Sequence, residues 1–232
     1  MIVVVTGGKG GVGKSTTAWN LGYELDAVVV DADVTGGDLP PSTGPDLHDV
    51  LAGRADPLEA VWEVGSVHVV SSGQTLAGAR AATLRTFEPV IDRLERAYDR
   101  VVVDCPAGLA RDVGIALRSG DFAVLVTQPQ KSALVDATRT ADLAVALETP
   151  VTAAVLNMAG GDSHRQLADR MERVFAAPVT VVGSEPAVSR AQSKWLPVRE
   201  YDPDARATDA YCSLADRLLE ADKRFTEQSD VT

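Results

Sequence analysis

Residues Gly8 to Thr16 read Gly-Lys-Gly-Gly-Val-Gly-Lys-Ser-Thr, close behind the apolar run Ile2 to Val5. The string fits Gly-x-x-x-x-Gly-Lys-Ser/Thr between a strand-like and a helix-like segment, which is the context a phosphate-binding loop needs. Gly8, Gly10, Gly11 and Gly13, with Val12 among them, let backbone N–H groups curl around phosphate oxygens. Lys14 has the reach for the β- and γ-phosphates, and the Ser15 hydroxyl can ligate Mg²⁺. A helix that starts near Ser15 and Thr16 aims its positive end at the same anion. A second lysine, Lys9, lies inside the loop, where an ordinary phosphate loop has one functional lysine. Two acid clusters follow apolar runs. Asp31-Ala32-Asp33 comes after Val28 to Val30, and Asp104-Cys105-Pro106-Ala107-Gly108 comes after Val101 to Val103. Carboxylates at i and i+2 ahead of glycines suit a loop beside Mg²⁺ and water. Capping aspartates of a tight turn are the other reading of that pattern.

These groups can act together only if strands deliver them to one edge of a sheet. Strand candidates are 2–5, 27–30, 67–70, 100–103, 122–126, 151–156 and 179–182, several of them nearly continuous valine runs of the kind buried parallel strands show. Helix candidates fall at 15–25, 57–61, 83–97, 111–119, 131–147, 163–174, 187–195 and 209–223. The alternation predicts an α/β fold, a single-domain doubly wound and mostly parallel sheet flanked by helices. Ligands of such sheets sit beyond the carboxyl ends of the strands, where both acid clusters fall. The domain is expected over residues 1–225, with a polar, frayed tail at 226–232.

The 232 residues carry a formal net charge of -11. Aspartate outnumbers glutamate 22 to 11, and arginine outnumbers lysine 17 to 5, with two of the five lysines in the loop. This balance resembles proteins of salt-loving archaea, and it argues against a large nucleic-acid-binding face, which needs clustered Lys and Arg. Met1 leads into a strand without a basic leader, and no apolar run reaches the length of a membrane span, so a cytoplasmic location is expected. Cys105 and Cys212 form no Cys-x-x-Cys pair. His48, His68 and His164 share no metal spacing and are expected to be structural or at the surface.

The stretch Lys9 to Thr16 resembles the deviant Walker A motif of the ParA/MinD family of P-loop ATPases, with archaeal MinD-like proteins the nearest in pattern. The resemblance implies a P-loop NTPase fold, ATP and Mg²⁺ as ligands, and a homodimer formed with ATP. In that picture Lys9 crosses the dimer interface to the partner's phosphates, and Lys9, Lys14 and Asp33 are the catalytic residues. Asp31 to Gly37 is similar to the first switch segment, with Asp33 orienting the attacking water and Asp31 supporting the metal shell. Asp104 to Gly108 looks like the Walker B and second switch segment. There Asp104 holds Mg²⁺ through water, and Gly108 offers an N–H near the γ-phosphate. Asn157 in Leu156-Asn157-Met158 stands where the family has its adenine-reading amide, and Glu185-Pro186 stands where its members line the adenine pocket. ATP rather than GTP rests on the same resemblance.

The function so implied is a slow ATPase that switches between monomer and dimer and positions a division site, surface machinery or cargo through a regulatory or cargo protein. The alternatives are an ATP-clamped scaffold without turnover and an amide-forming P-loop synthetase. Residues 210–225 mix acids with Arg217, Lys223 and Arg224, so they lack the clean basic face of a membrane-binding helix, and membrane association is not expected.

Overall fold

A computed structural model describes residues 1–109, 111–160 and 162–229. Strands β1 (Ile2–Thr6), β2 (Val28–Asp31), β3 (Val61–Val64), β4 (Val67–Val70), β5 (Val101–Asp104), β6 (Phe122–Thr127), β7 (Val151–Ala159) and β8 (Val179–Gly183) pair in the order β3-β4-β2-β5-β1-β6-β7-β8. Every pairing is parallel except that of β3 with β4. The valine runs are explained by the period of two along a strand with both sheet faces covered. Val3, Val5, Val29 and Val102 pack with Leu21 of α1 (Lys14–Glu24) and with Leu214 and Leu218 of α10 (Arg206–Ser229). Val4, Val28, Val30 and Val103 pack on the other face with Ile91 and Leu94 of α4 (Phe87–Tyr98) and Leu117 of α5 (Arg111–Arg118).

The remaining helices are α2 (Leu47–Leu51), α3 (Leu76–Ala81), α6 (Lys131–Ala146), α7 (Asp162–Phe175), α8 (Pro186–Gln192) and α9 (Val198–Tyr201). Sequence periodicity misses α2, α3 and α9 because each is too short to complete two turns. The start of α2 is nevertheless written locally, in a capping box between Asp46 and Asp49. Only Pro57–Ala60 of the expected 57–61 helix is helical, as one 3₁₀ turn. Val61 instead opens β3, which doubles back through Gly65 (φ 60°) into β4 as a hairpin. The last helix runs beyond the expected 209–223 to Ser229, so residues 226–229 continue it, and 230–232 lie outside the described residues.

Candidate functional site

Sheet register builds the site. Strand β5 lies between β1 and β2, with Asp104 level with Val5 on one side and Asp31 on the other. The loop that leaves β1 therefore opens over both aspartates. A cavity of about 230 Å³ lies there, lined by Gly10, Gly11, Lys14 and Ser15 of the loop, Asp31, Asp33 and Asp38 after β2, and Asp104 to Ala107 after β5. Four carboxylates share this space with one ammonium.

Lys14 is only 8% exposed and has no hydrogen bond or ion pair among the described residues. A nearly buried ammonium without a partner calls for an anion. Asp104 Oδ1 is buried and has no hydrogen-bond partner. Burial, followed by the charge of Asp31, pushes the Asp104 carboxyl up to about 8, while the Ser15 hydroxyl and Lys14 oppose the rise. Burial likewise raises Asp31 to about 7, against the N–H groups of Leu39 and Asp33 that it accepts at 3.1 Å each. Surplus carboxylate, an orphaned carboxylate oxygen and a serine hydroxyl fit a hard divalent cation shared with a phosphate. Among the described residues no three acidic, histidine or cysteine side chains form a ready-made cage.

The raised carboxyls have a measurable consequence in the metal-free protein. Asp104 is neutral in the folded chain at pH 6 and charged in an unfolded chain, whose carboxyl ionises near 3.9. The stability that the neutral form supplies is complete below about pH 4 and is lost as pH rises to about 8. Asp104→Asn removes that loss. Its stability relative to wild type should climb between about pH 4 and 8 and then level off, with a gain on the order of 2 kcal/mol at pH 8 in EDTA, read by urea unfolding. A gap independent of pH would contradict the buried, partly protonated acid.

The loop is held from outside by side chains. Gln128 Nε2 donates to Gly11 O at 2.8 Å, Asn157 Nδ2 donates to Val12 O at 2.9 Å, and Thr17 Oγ1 donates to Gly13 O at 2.9 Å. Three consecutive carbonyls are thereby consumed, which fixes the peptide planes beside the cavity. Gly13 sits at φ 99°, and a Cβ there would lie 2.0 Å from Asn157 Nδ2, so both backbone shape and close approach demand glycine. A second cavity of about 360 Å³ adjoins the loop and is lined by Thr16, Asn157, Glu185 and Pro186 together with Gln192, whose Oε1 accepts from Thr16 Oγ1 at 2.8 Å.

The expected site residues therefore divide in three. Gly10, Gly11, Lys14, Ser15, Asp31, Asp33 and Asp104 meet in the first cavity, and Thr16, Asn157, Glu185 and Pro186 meet in the second. Gly8, Lys9, Val12, Gly13 and Gly108 line neither; Lys9 is exposed, Val12 is buried, and Gly108 follows the lining residues at φ 95°. Asn157 spends one amide hydrogen on Val12 O, and its oxygen accepts from Met158 N at 2.9 Å. Asp33 Oδ1 accepts from Thr35 N, Thr35 Oγ1 and Gly36 N at 3.0, 2.8 and 3.2 Å, so the turn-capping reading of this acid is realised in the structure. Asp38, Gln128 and Gln192 were not singled out from the sequence. Asp38 alone had a local signal, its position in the loop that follows the first acid pair.

The ParA family model, described as an NUBPL iron-transfer P-loop NTPase, matches residues 1–185. This chain belongs to the ParA family of P-loop NTPases. An uncharacterized ATP-binding protein of Methanocaldococcus jannaschii is 30% identical to it over 227 residues, covering 93% of this chain and 86% of the relative. The septum site-determining protein MinD of Bacillus subtilis is 29% identical, with 94% and 88% covered. Among solved structures, MinD of Pyrococcus horikoshii complexed with Mg-ADP superposes with a TM-score of 0.85 at 27% identity, over 94% of this chain and 95% of that one. The protein is thus a P-loop NTPase of the MinD/ParA type in fold and class. In this ParA-family member the two cysteines lie apart. Cys105 is buried on the sheet face covered by α4 and α5, with its thiol pushed up to about 12 by burial. Cys212 is half-buried on α10, which packs on the opposite face.

Proposed function

We propose that this chain is a Mg²⁺-dependent ATPase that dimerises when ATP is bound and thereby acts as a switch for spatial positioning through a protein partner. One observation carries the reading. A single cavity joins Lys14 and Ser15 to Asp31, Asp33 and Asp104, while Lys9 of the same loop stands exposed and unpaired among the described residues. Four carboxylates and one lysine leave the cavity short of positive charge for a triphosphate. Bound Mg²⁺, held by Ser15 and Asp104 with Asp31 behind them, would supply neutralising charge at the phosphate oxygens. Lys9 of a second copy would add a further cation at the phosphates.

The chain's own groups then have separate tasks. Lys14 and the loop N–H groups bind and orient the phosphates. Asp33 orients water, using the oxygen its turn does not occupy or releasing Thr35 and Gly36 first. Thr16, Asn157, Glu185 and Pro186 enclose the base. Catalysis of this kind rests on positioning and charge stabilisation. No helix among the described residues is long and apolar enough to cross a membrane, and α10 carries mixed charge, so the output is assigned to a protein partner.

The test is phosphate release from ATP by the purified chain with Mg²⁺ or EDTA. Slow, Mg²⁺-dependent release is expected. Tight ATP binding with no release under either condition would contradict the ATPase and leave a static clamp.

A further inference from the structure

A groove of about 590 Å³, separate from both nucleotide cavities, lies between α4, α5 and α6. Leu109, Ile115, Leu143 and Leu147 form its apolar floor. Leu109 is 51% exposed although it follows directly on Gly108. Arg85, Arg111 and Arg118 line the groove with Glu88 as the only acid. All three guanidinium groups are exposed, and none has a hydrogen bond or ion pair among the described residues. On a chain with a net charge of -11 this is a local excess of positive charge over an apolar floor.

A glycine points the same way. Gly114 lines the groove from within α5. Helix-interior glycine costs about 1 kcal/mol relative to alanine. Packing does not require it, because a Cβ there would meet only Leu147 Cδ1, at an ordinary 3.7 Å. What the missing side chain does provide is depth in the groove.

We propose that this groove docks an acidic amphipathic segment of a partner protein, with its apolar side chains on the leucine floor and its carboxylates on Arg85, Arg111 and Arg118. Bidentate guanidinium–carboxylate pairs fit that chemistry, and a helix laid into an apolar groove is an established mode of peptide binding. The three guanidinium groups at the groove would repel a basic segment and attract an acidic one, against the net negative charge of the chain as a whole. The proposal does not depend on the nucleotide site.

The test uses a fluorescein-labelled 18-residue helical peptide with leucines at i, i+3, i+4 and i+7 spacing and glutamates elsewhere, and a lysine version as control. Binding to the full chain is followed by fluorescence anisotropy at low salt without nucleotide. Wild type should bind the glutamate peptide at least tenfold more tightly than the lysine peptide. Gly114→Leu, which fills the groove, and the triple variant Arg85→Ala, Arg111→Ala, Arg118→Ala should each weaken the glutamate peptide at least tenfold. Circular dichroism should show both variants folded, and Mg-ADP affinity should be unchanged in both. Lys14→Ala should bind the glutamate peptide as wild type does, so failure of the nucleotide reading and failure of this one give different results. Equal binding of the two peptides, or unchanged affinity in folded Gly114→Leu, would overturn the proposal. So would nucleotide-free self-association in sedimentation that Gly114→Leu abolishes, because the occupant would then be a second copy.

Discussion

Lys14→Ala should lose Mg-ADP and Mg-ATP binding by at least about 100-fold, measured by titration calorimetry. Lys14 supplies the single ammonium of a cavity lined by four carboxylates. A charge-assisted hydrogen bond contributes about 1.5–3 kcal/mol, and each 1.4 kcal/mol is tenfold in affinity. Leaving Asp31, Asp33, Asp38 and Asp104 without that counter-charge adds repulsion toward an incoming phosphate. The same substitution removes a nearly buried ammonium that has no hydrogen bond or ion pair among the described residues. Circular dichroism and urea unfolding without nucleotide should show Lys14→Ala folded, which separates lost binding from lost folding. Retention of wild-type affinity would refute the assignment of the phosphate loop.

Asp33→Ala should lower steady-state phosphate release by about 100-fold or more while nucleotide affinity stays within a few-fold of wild type. Positioned acid–base groups contribute about 10²–10⁴-fold to rate. Asp33 lines the cavity but lies on the loop after β2 rather than in the phosphate-binding loop. Its Oδ1 bonds to Thr35 and Gly36 shape the loop as well. Asp33→Asn is therefore the informative companion. It keeps a side-chain acceptor for the turn and loses the carboxylate, so a purely structural role predicts near-normal turnover in Asn and loss only in Ala. Loss in both places the carboxylate at the water. Wild-type turnover in both would remove Asp33 from the mechanism.

The sequence carried the chemistry-bearing segments because their signals are local. The loop spacing from Gly8 to Ser15 and the valine runs ending at Asp31 and Asp104 need no partner to be recognised. Parallel pairing then brings those ends together, as the register of Asp31 with Asp104 shows. What stayed hidden was mostly long-range. Gln128, Asn157 and Gln192 bond to the loop region across 117, 145 and 176 residues, and a single chain does not reveal such pairs. Asn157 was found for its amide, and that amide also clamps Val12, which no local signal announced. The edge strand β3 was hidden for another reason. Val61 to Val64 is only four residues long and half-solvated, with no run to read, and the Pro57 turn before it looks like a helix start. The length of α10 escaped because the residues after Lys223 are polar apart from Phe225, and polarity alone does not end a helix already nucleated on a buried face.

The central claim is that ATP, and not ADP, joins two copies through Lys9. Size-exclusion light scattering of wild type and Lys9→Ala, each with Mg²⁺ and either ATP or ADP, tests it most directly. Wild type should be a dimer with ATP and a monomer with ADP, and Lys9→Ala should stay monomeric with both while binding nucleotide normally. A wild-type monomer in every condition, or a Lys9→Ala dimer with ATP equal to wild type, would contradict the account.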